Sequence, residues 1–591
     1  MSSSLDSFLD REEREQQKIQ PNTLLLLTKL MIKHRGPALL GFFMILLGTF
    51  TTLLEPRIVG YAIDEAIAPK RLDRLQLVSF VFLLVTSLRV VAAIQQGYLF
   101  ELLGQKVTQD LRMMLFSHLE RLSIPVFDKN PAGRLMTRVT NDIASLNEMF
   151  SAGFVSMLSN FLLVVGILAW LMILDLRLGL IAASVFPVMV MISVYFSGRL
   201  KVSYRDARSK LSSLNSFLAE NLSGMKIVQL FNRQKLHLDR FDRLNQWYAD
   251  AQVSSIRVFA LFQPTITISA GISVALIIWF GGGAALTGGL KLGILVAYFS
   301  YILSLFQPVR EIADKWNIFL SGMASAERVF SVLAWPTETL EQAVHTVAQP
   351  ISNLKGHIVF ENVWFAYSDE HWVLRDFSLE ILPGQKIGVV GHTGAGKTTI
   401  ISLLIRFYEP QRGRILLDGK DLKDYDVRSL RASIGIVQQE VFLFSGSFEE
   451  NITFWRKSDA PKMEAVLAAL GVNRKNDELL QERGTNFSMG ERQVIAFARA
   501  MVANPKVWIL DEATANMDSD TEALLQKSLD ESASDRTSIL IAHRLATVKN
   551  ADRILVIHKG HLVESGNHGD LMFLDGLYAR LYRYQSYSQV V

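Results

Sequence analysis

Six stretches of this 591-residue chain are long and apolar enough to cross the ~30 Å hydrocarbon layer of a membrane, and they restrict its fold more than any other feature. Residues 36–54 carry no charge, and 75–100 are apolar apart from Arg89 and a pair of glutamines. Stretches 151–174 and 178–198 are charge-free and almost continuous, broken only at Asp175-Leu-Arg177. Residues 258–290 are charge-free too, with glycines at 281–283 and 288–289 expected to end that helix before Leu290; 292–309 is the sixth run. In hydrocarbon every backbone N–H must be bonded within its own segment, so six runs predict six helices.

Composition agrees with a chain partly dissolved in lipid. Half the residues are hydrophobic and the mean hydropathy is +0.23, high for a soluble enzyme. The length asks for about two to four domains rather than one core. A net charge of only +4 gives no reason to expect a nucleic-acid partner. The lack of cysteine excludes disulfides, thiolate catalysis and cysteine-ligated metal. The stretch Asp6 to Lys18 is densely charged and predicts a solvated amphipathic helix, not a cleavable signal.

Links between runs one and two, three and four, and five and six are short. The other two, 101–150 and 199–257, are long, and the second is rich in Lys and Arg. By the positive-inside rule the long links, both termini and the second half of the chain are expected in the cytoplasm. Lys70, Arg71 and Arg74 dilute that bias in the first short link. Both long links place apolar residues at helical spacing, as in Leu111, Leu115 and Leu119 or Leu211, Leu214, Phe217 and Leu218, so the spans are expected to extend beyond the bilayer. Turning points are predicted at Ser123 to Gly133 and Leu222 to Lys226. Glu55, Arg57, Arg89, Arg310 and Glu311 lie in or beside apolar runs, as pathway residues or as internal pairs.

The second half changes character. A helix ending near Leu333 is stopped at Pro336, and a polar linker leads to the alternating strand pattern Ile358-Val-Phe-Glu-Asn-Val-Trp-Phe-Ala-Tyr367. The expected division is 1–35 amino-terminal segment, 36–335 six-helix membrane domain, 336–353 linker and 354–591 α/β domain. In the last, Ile387 to Val390 predicts a strand and Thr398 opens a helix. Between them Gly391, His392, Thr393, Gly394, Ala395, Gly396, Lys397, Thr398 and Thr399 fit the phosphate-loop pattern. Glycines let backbone N–H groups turn inward as an anion nest, and the helix amino-terminus adds partial positive charge. Lys397 can reach terminal phosphates, and the Thr398 hydroxyl can ligate Mg²⁺. The apolar run Val507-Trp-Ile-Leu510 predicts a buried parallel strand whose end carries Asp511, for Mg²⁺, and Glu512, as general base for water. A second such run, Ile539-Leu-Ile-Ala542, ends at His543, a candidate γ-phosphate contact.

With these motifs in place, nearly the whole chain beyond its first thirty residues resembles a half-size ATP-binding cassette exporter of the bacterial multidrug or lipid type. The resemblance implies an all-α six-helix membrane domain followed by an α/β P-loop ATPase, in the bacterial inner membrane. It implies ATP and Mg²⁺ as ligands and a second half-transporter subunit as partner. The cargo would be a hydrophobic or amphipathic drug, lipid or peptide, with siderophore-like import or an ATP-gated channel or sensor role as alternatives. Residue by residue, it implies that Tyr367 stacks on adenine, Gln439 contacts Mg²⁺, and Asp518 closes a loop facing the other subunit. It implies coupling helices at Pro125 to Gly133 and Ser223 to Val228. Ser488, Met489 and Gly490, within Phe487-Ser-Met-Gly-Glu491, align with the family signature Leu-Ser-Gly-Gly-Gln, which in the family touches ATP held by the partner.

This chain departs from the family at that signature. Met489 stands where a glycine lets backbone approach phosphate, and Glu491 adds a carboxylate. Residues 515–518 read Ala-Asn-Met-Asp, not Ser-Ala-Leu-Asp, and 451–487 looks shortened. Lys397, Gln439, Asp511, Glu512 and His543 are all in place. An intact catalytic set beside an altered signature is expected of one member of a heterodimer, a homodimer being the alternative.

Overall fold

The computed structural model describes residues 21–338, 354–368, 371–456, 460–472, 477–511, 527, 536–542 and 545–588. The chain forms two compact units, one of residues 1–120 and 131–335, the other of 121–130 and 336–591.

In the first unit a short helix α1 (Pro21–Lys33) precedes α2 (Arg35–Ala62) and α3 (Leu72–Leu119). Next comes α4 (Ile124–Lys129), which belongs to the second unit. The third span, Ala132–Leu174, is built from short α and π stretches that end in α5 (Val155–Leu174). It is followed by α6 (Leu176–Ser223), α7 (Met225–Leu230), α8 (Gln234–Leu286) and α9 (Leu292–Leu333). Among the described residues six helices are long and apolar enough to cross a membrane. At 1.5 Å per residue the 53-residue α8 is about 80 Å long, far more than one bilayer core requires. Its helix runs through the 281–283 glycines and stops at Leu286, with Gly288 at positive φ. A Cβ at Gly281 would come within 2.9 Å of Leu295, so this glycine serves close packing against α9, whereas a Cβ at Gly282 or Gly283 would meet nothing within 4 Å.

Helix α9 is the centre of this unit. Half of its most apolar window is buried, against 17% in α3, whose Leu77, Phe80, Leu83 and Ile94 face outward. Two fully buried tyrosines pin α9 to its neighbours: Tyr298 Oη donates to Leu171 O (2.6 Å) and Tyr301 Oη to Leu53 O (2.5 Å). The ionisable residues of the spans are mostly in internal pairs. Arg89 Nε lies 2.9 Å from Glu55 Oε1, a charge contact without hydrogen-bond alignment. Glu311 accepts from Asn160 Nδ2 (2.8 Å) and Gln307 Nε2 (3.0 Å). Buried Asp142 accepts from Arg328 and Arg138, joining the third span to the far part of α9.

The second unit holds two sheets. Strands β1 (Ile358–Ala366), β2 (Trp372–Ile381), β4 (Arg412–Leu417) and β5 (Lys420–Asp421) form an antiparallel sheet in the order β2-β1-β4-β5. Strands β3 (Lys386–Val390), β6 (Ile434–Val437), β9 (Val507–Asp511), β10 (Thr537–Ile541), β11 (Arg553–His558) and β12 (His561–Gly566) form the other. Its order is β12-β11-β3-β10-β9-β6, parallel except for β12. Two-residue strands β7 (Gly446–Ser447) and β8 (Leu479–Leu480) pair separately. The parallel strands read as continuous apolar runs because both faces are covered. Along β9, Val507 and Ile509 enter one core and Trp508 and Leu510 the other.

Segment 121–130 packs into this second unit. Leu122 pairs with Thr337, and Glu338 N donates to Arg121 O at 2.7 Å. Glu338 in turn accepts from both terminal nitrogens of Arg431, a planar fork on a carboxylate.

Candidate nucleotide site

Sheet register brings the chemistry to one edge. Val389 of β3 lies beside Ile541 of β10, which lies beside Asp511 of β9, and Leu510 lies beside Val437 of β6. The carboxyl ends of four parallel strands are therefore level. From them continue the glycine loop, Ala542, Asp511 and the segment carrying Gln439. Open α/β sheets bind ligands at such an edge.

The loop starting at Gly391 leaves β3 and enters α10 (Lys397–Leu404) through Gly396. Gly394 and Gly396 have φ of +81° and +105°, values that an L side chain rarely adopts. A Cβ at Gly396 would also sit 2.9 Å from Leu374, so this turn needs glycine for space as well. Lys397 is buried, and its Nζ donates to Gly391 O (2.6 Å) and His392 O (3.2 Å), folding the ammonium over its own loop. Burial lowers the Lys397 pKa and raises that of Asp511, each opposed by the other's charge. Both groups are thus desolvated, and each gains from a further charged ligand: an anion at Lys397, a cation at Asp511. Thr398 is exposed at the first turn of α10, and Thr399 is buried behind it. Hydroxyl and carboxylate oxygens suit Mg²⁺, which keeps waters and phosphate oxygens as its other ligands. Among the described residues no cluster of three or more His, Cys, Asp or Glu could hold an ion on its own.

Tyr367 is 43% exposed at the end of β1. Its ring stands edge-on to Phe365 (4.8 Å) and Tyr408 (4.9 Å), and its hydroxyl bonds the Thr399 hydroxyl at 3.1 Å. Tyr408 carries the contact onward by donating its phenol proton to the Asp128 carboxylate on α4. Burial and that carboxylate push the Tyr408 pKa well above its ordinary value, so the proton stays in place. Neither Tyr408 nor Asp128 stands out in the sequence; an aromatic one residue past Phe407 has no spacing signal.

The altered signature opens α11 (Met489–Ala503), with Ser488 as its N-cap. Glu491 N donates to Ser488 Oγ (3.3 Å) and Ser488 N to Glu491 Oε2 (2.9 Å), a reciprocal capping box. The Glu491 carboxylate, expected near polyphosphate, is thus turned back on its own helix start. Met489 is 53% exposed at the first helical position. Gln493 Nε2 reaches Gln438 O at 3.4 Å, tying α11 to the segment that carries Gln439. Glu512, Asp518 and His543 lie outside the described residues.

A six-helix apolar unit joined to a P-loop α/β unit defines an ATP-driven membrane machine. Residues 38–309 match the family model of the ABC transporter transmembrane region and 374–515 that of the ABC transporter. The chain is 37% identical to the fatty acid ABC transporter ATP-binding/permease protein of Mycobacterium bovis, over 83% of this chain and 78% of that one. It is 32% identical to the ATP-dependent lipid A-core flippase of Syntrophus aciditrophicus, over 92% and 91%. A bacterial Atm1-family ABC exporter with ATP bound superposes with TM-score 0.75 at 26% identity, covering 93% of this chain and 98% of that one. The chain belongs to the ABC transporter family, as a half-size exporter and integral membrane protein whose ATPase domain drives transport.

Proposed function

We propose that this chain exports a lipid-like or otherwise amphipathic compound from the cytoplasmic side of the bacterial inner membrane, as one of two unlike subunits. The similarity to a fatty acid transporter and a lipid A-core flippase supports the cargo class. The observation that carries the two-subunit reading is the contrast between a complete phosphate loop and an exposed Met489 at the signature helix.

In this reading Tyr367 stacks on adenine, while the loop from Gly391 to Thr399 wraps the phosphates with Lys397 on the terminal ones. Thr398, Asp511 and Gln439 would hold Mg²⁺, which would supply positive charge to offset that of the nucleotide phosphates. Glu512 polarises the attacking water and His543 contacts the γ-phosphate. Ser488, Met489, Gly490 and Asp518 face nucleotide held by the partner. The exposed Met489 side chain keeps that second site a slow one. Closure of the two nucleotide domains is relayed to the spans through α4 and α7, which serve as the coupling helices.

Transport into inside-out vesicles tests this. Labelled fatty acid or phospholipid should accumulate or flip in an ATP-dependent way with the native pair of subunits. Glu512→Gln should abolish it while ATP still binds. ATP-dependent uptake in right-side-out cells, or unchanged turnover in Glu512→Gln, would reject export or the base assignment respectively.

A further inference from the structure

Within the membrane unit, a partly open cavity of about 390 Å³ lies between α1, the third span and α9. Its floor is buried Leu27, Met149, Phe150 and Met323. Its outer wall includes Phe154, Phe161 and Trp316, each more than a third exposed. We propose that this cavity binds a single alkyl chain belonging to an amphiphile from the inner leaflet.

Four observations support this. First, the wall is almost entirely carbon and sulfur. Its one hydroxyl, on Thr28, already donates to Leu25 O at 2.9 Å. A hydrogen-bonding group placed inside would lose its water and gain no partner, so the occupant must be hydrocarbon. Second, the volume is at the lower end of the ~300–1,000 Å³ typical of ligand pockets, room for one chain rather than a whole diacyl lipid. Four methionines among the lining residues, Met31, Met149, Met157 and Met323, suit chains of varied length and bend.

Third, half of the wall contributed by the third span is a π-helical stretch, Met149–Phe154, that directs Met149, Phe150 and Phe154 to the cavity, the rest coming from α5. Such π turns are rare and concentrate at functional sites. At its start the helices touch closely, since a Cβ on Gly322 would lie 2.3 Å from Met149 Cβ. Fourth, α1 has the composition of an interfacial helix. Leu27 is buried toward the cavity, Leu25, Leu26 and Ile32 are exposed apolar residues, and Lys29 is an exposed cation, while Lys33 is paired with Asp110 at 2.7 Å. An interfacial helix lies where acyl chains meet headgroups, and a cationic residue beside the lining Thr28 suits an anionic headgroup.

The inference deepens the export reading by naming the alkyl chain as the recognised group, and its test separates the two. The native complex in phospholipid nanodiscs would be irradiated with a phosphatidylglycerol carrying a diazirine near one chain end. A diazirine fatty acid of equal length would be used in a parallel sample, and adducts located by peptide mass spectrometry. Label should concentrate on peptides spanning 149–161 and 312–323, above that on the exposed face of α3. Met157→Trp, which fills the cavity, should lower it about tenfold, while Met157→Leu retains it and both variants keep their thermal stability. Preference for the phospholipid probe assigns the chain to the bilayer, and preference for the fatty acid assigns it to a free amphiphile. Uniform labelling unaffected by Met157→Trp would overturn the site. So would a several-fold rise on deleting residues 2–20, which would make the amino-terminal segment the occupant. If label is lost while lipid export continues, this site fails and export stands; label without any transported lipid does the reverse.

Discussion

The two segments of the second unit that are expected to touch ATP phosphates differ in how they are built. The loop before α10 has glycines at positive φ and a buried lysine arranged toward an anion, with the half-buried Asp511 carboxylate beside them suited to a cation. The start of α11 satisfies itself: Ser488 and Glu491 bond each other, and Met489 projects outward. One segment holds a desolvated lysine and carboxylate that each gain from a charged ligand, and the other uses its polar side chains to cap its own helix. Sequence departures therefore fall on the half that the proposed function sets against a second chain.

That contrast can be broken first at the intact loop. Lys397→Ala should lower ATPase activity by about 10²–10³-fold, the cost of losing a charged donor to a phosphoryl group, with ATP affinity lost in a filter-binding assay. Tyr367→Ala should weaken nucleotide binding by roughly 1–3 kcal/mol, the worth of stacking a base, with little change in turnover at saturating ATP. At the altered segment Met489→Gly should raise the turnover of the two-subunit complex several-fold; no change would show that Met489 is not what limits that site. Smaller still is Glu491. Glu491→Gln can keep the capping box and should leave thermal stability unchanged, whereas Glu491→Ala should cost about 1 kcal/mol by chemical denaturation.

Acidity sharpens the same comparison. Burial raises the Asp511 pKa, so this carboxylate protonates at a higher pH than an ordinary one. Mg²⁺-dependent nucleotide binding should thus weaken as pH falls through that raised value, earlier than for an exposed carboxylate. Titration of nucleotide affinity with and without Mg²⁺ checks it, since only the Mg²⁺-dependent part should show the step.

The sequence made the six spans, the phosphate loop and the buried strand before Asp511 legible, because each follows from a repeating pattern or a short local motif. What it hid was non-local or shape-dependent. The role of Glu491 as a cap needs only a Ser three residues earlier, yet its charge drew attention toward phosphate instead. The Tyr367–Tyr408–Asp128 chain joins residues far apart in sequence, so no spacing announces it. The π stretch at Met149–Phe154 leaves no compositional mark. Gly281 reads as part of a helix end but serves close packing, a distinction that only the neighbouring Leu295 settles.

The most direct measurement is of the chain expressed alone against the complex isolated from its own membrane, comparing subunit composition by native mass spectrometry and ATPase activity in nanodiscs. We expect a second, different polypeptide in the isolated complex, and little turnover from this chain by itself. A homodimer with full, cargo-stimulated ATPase activity would contradict the division of labour between the intact loop and the altered signature.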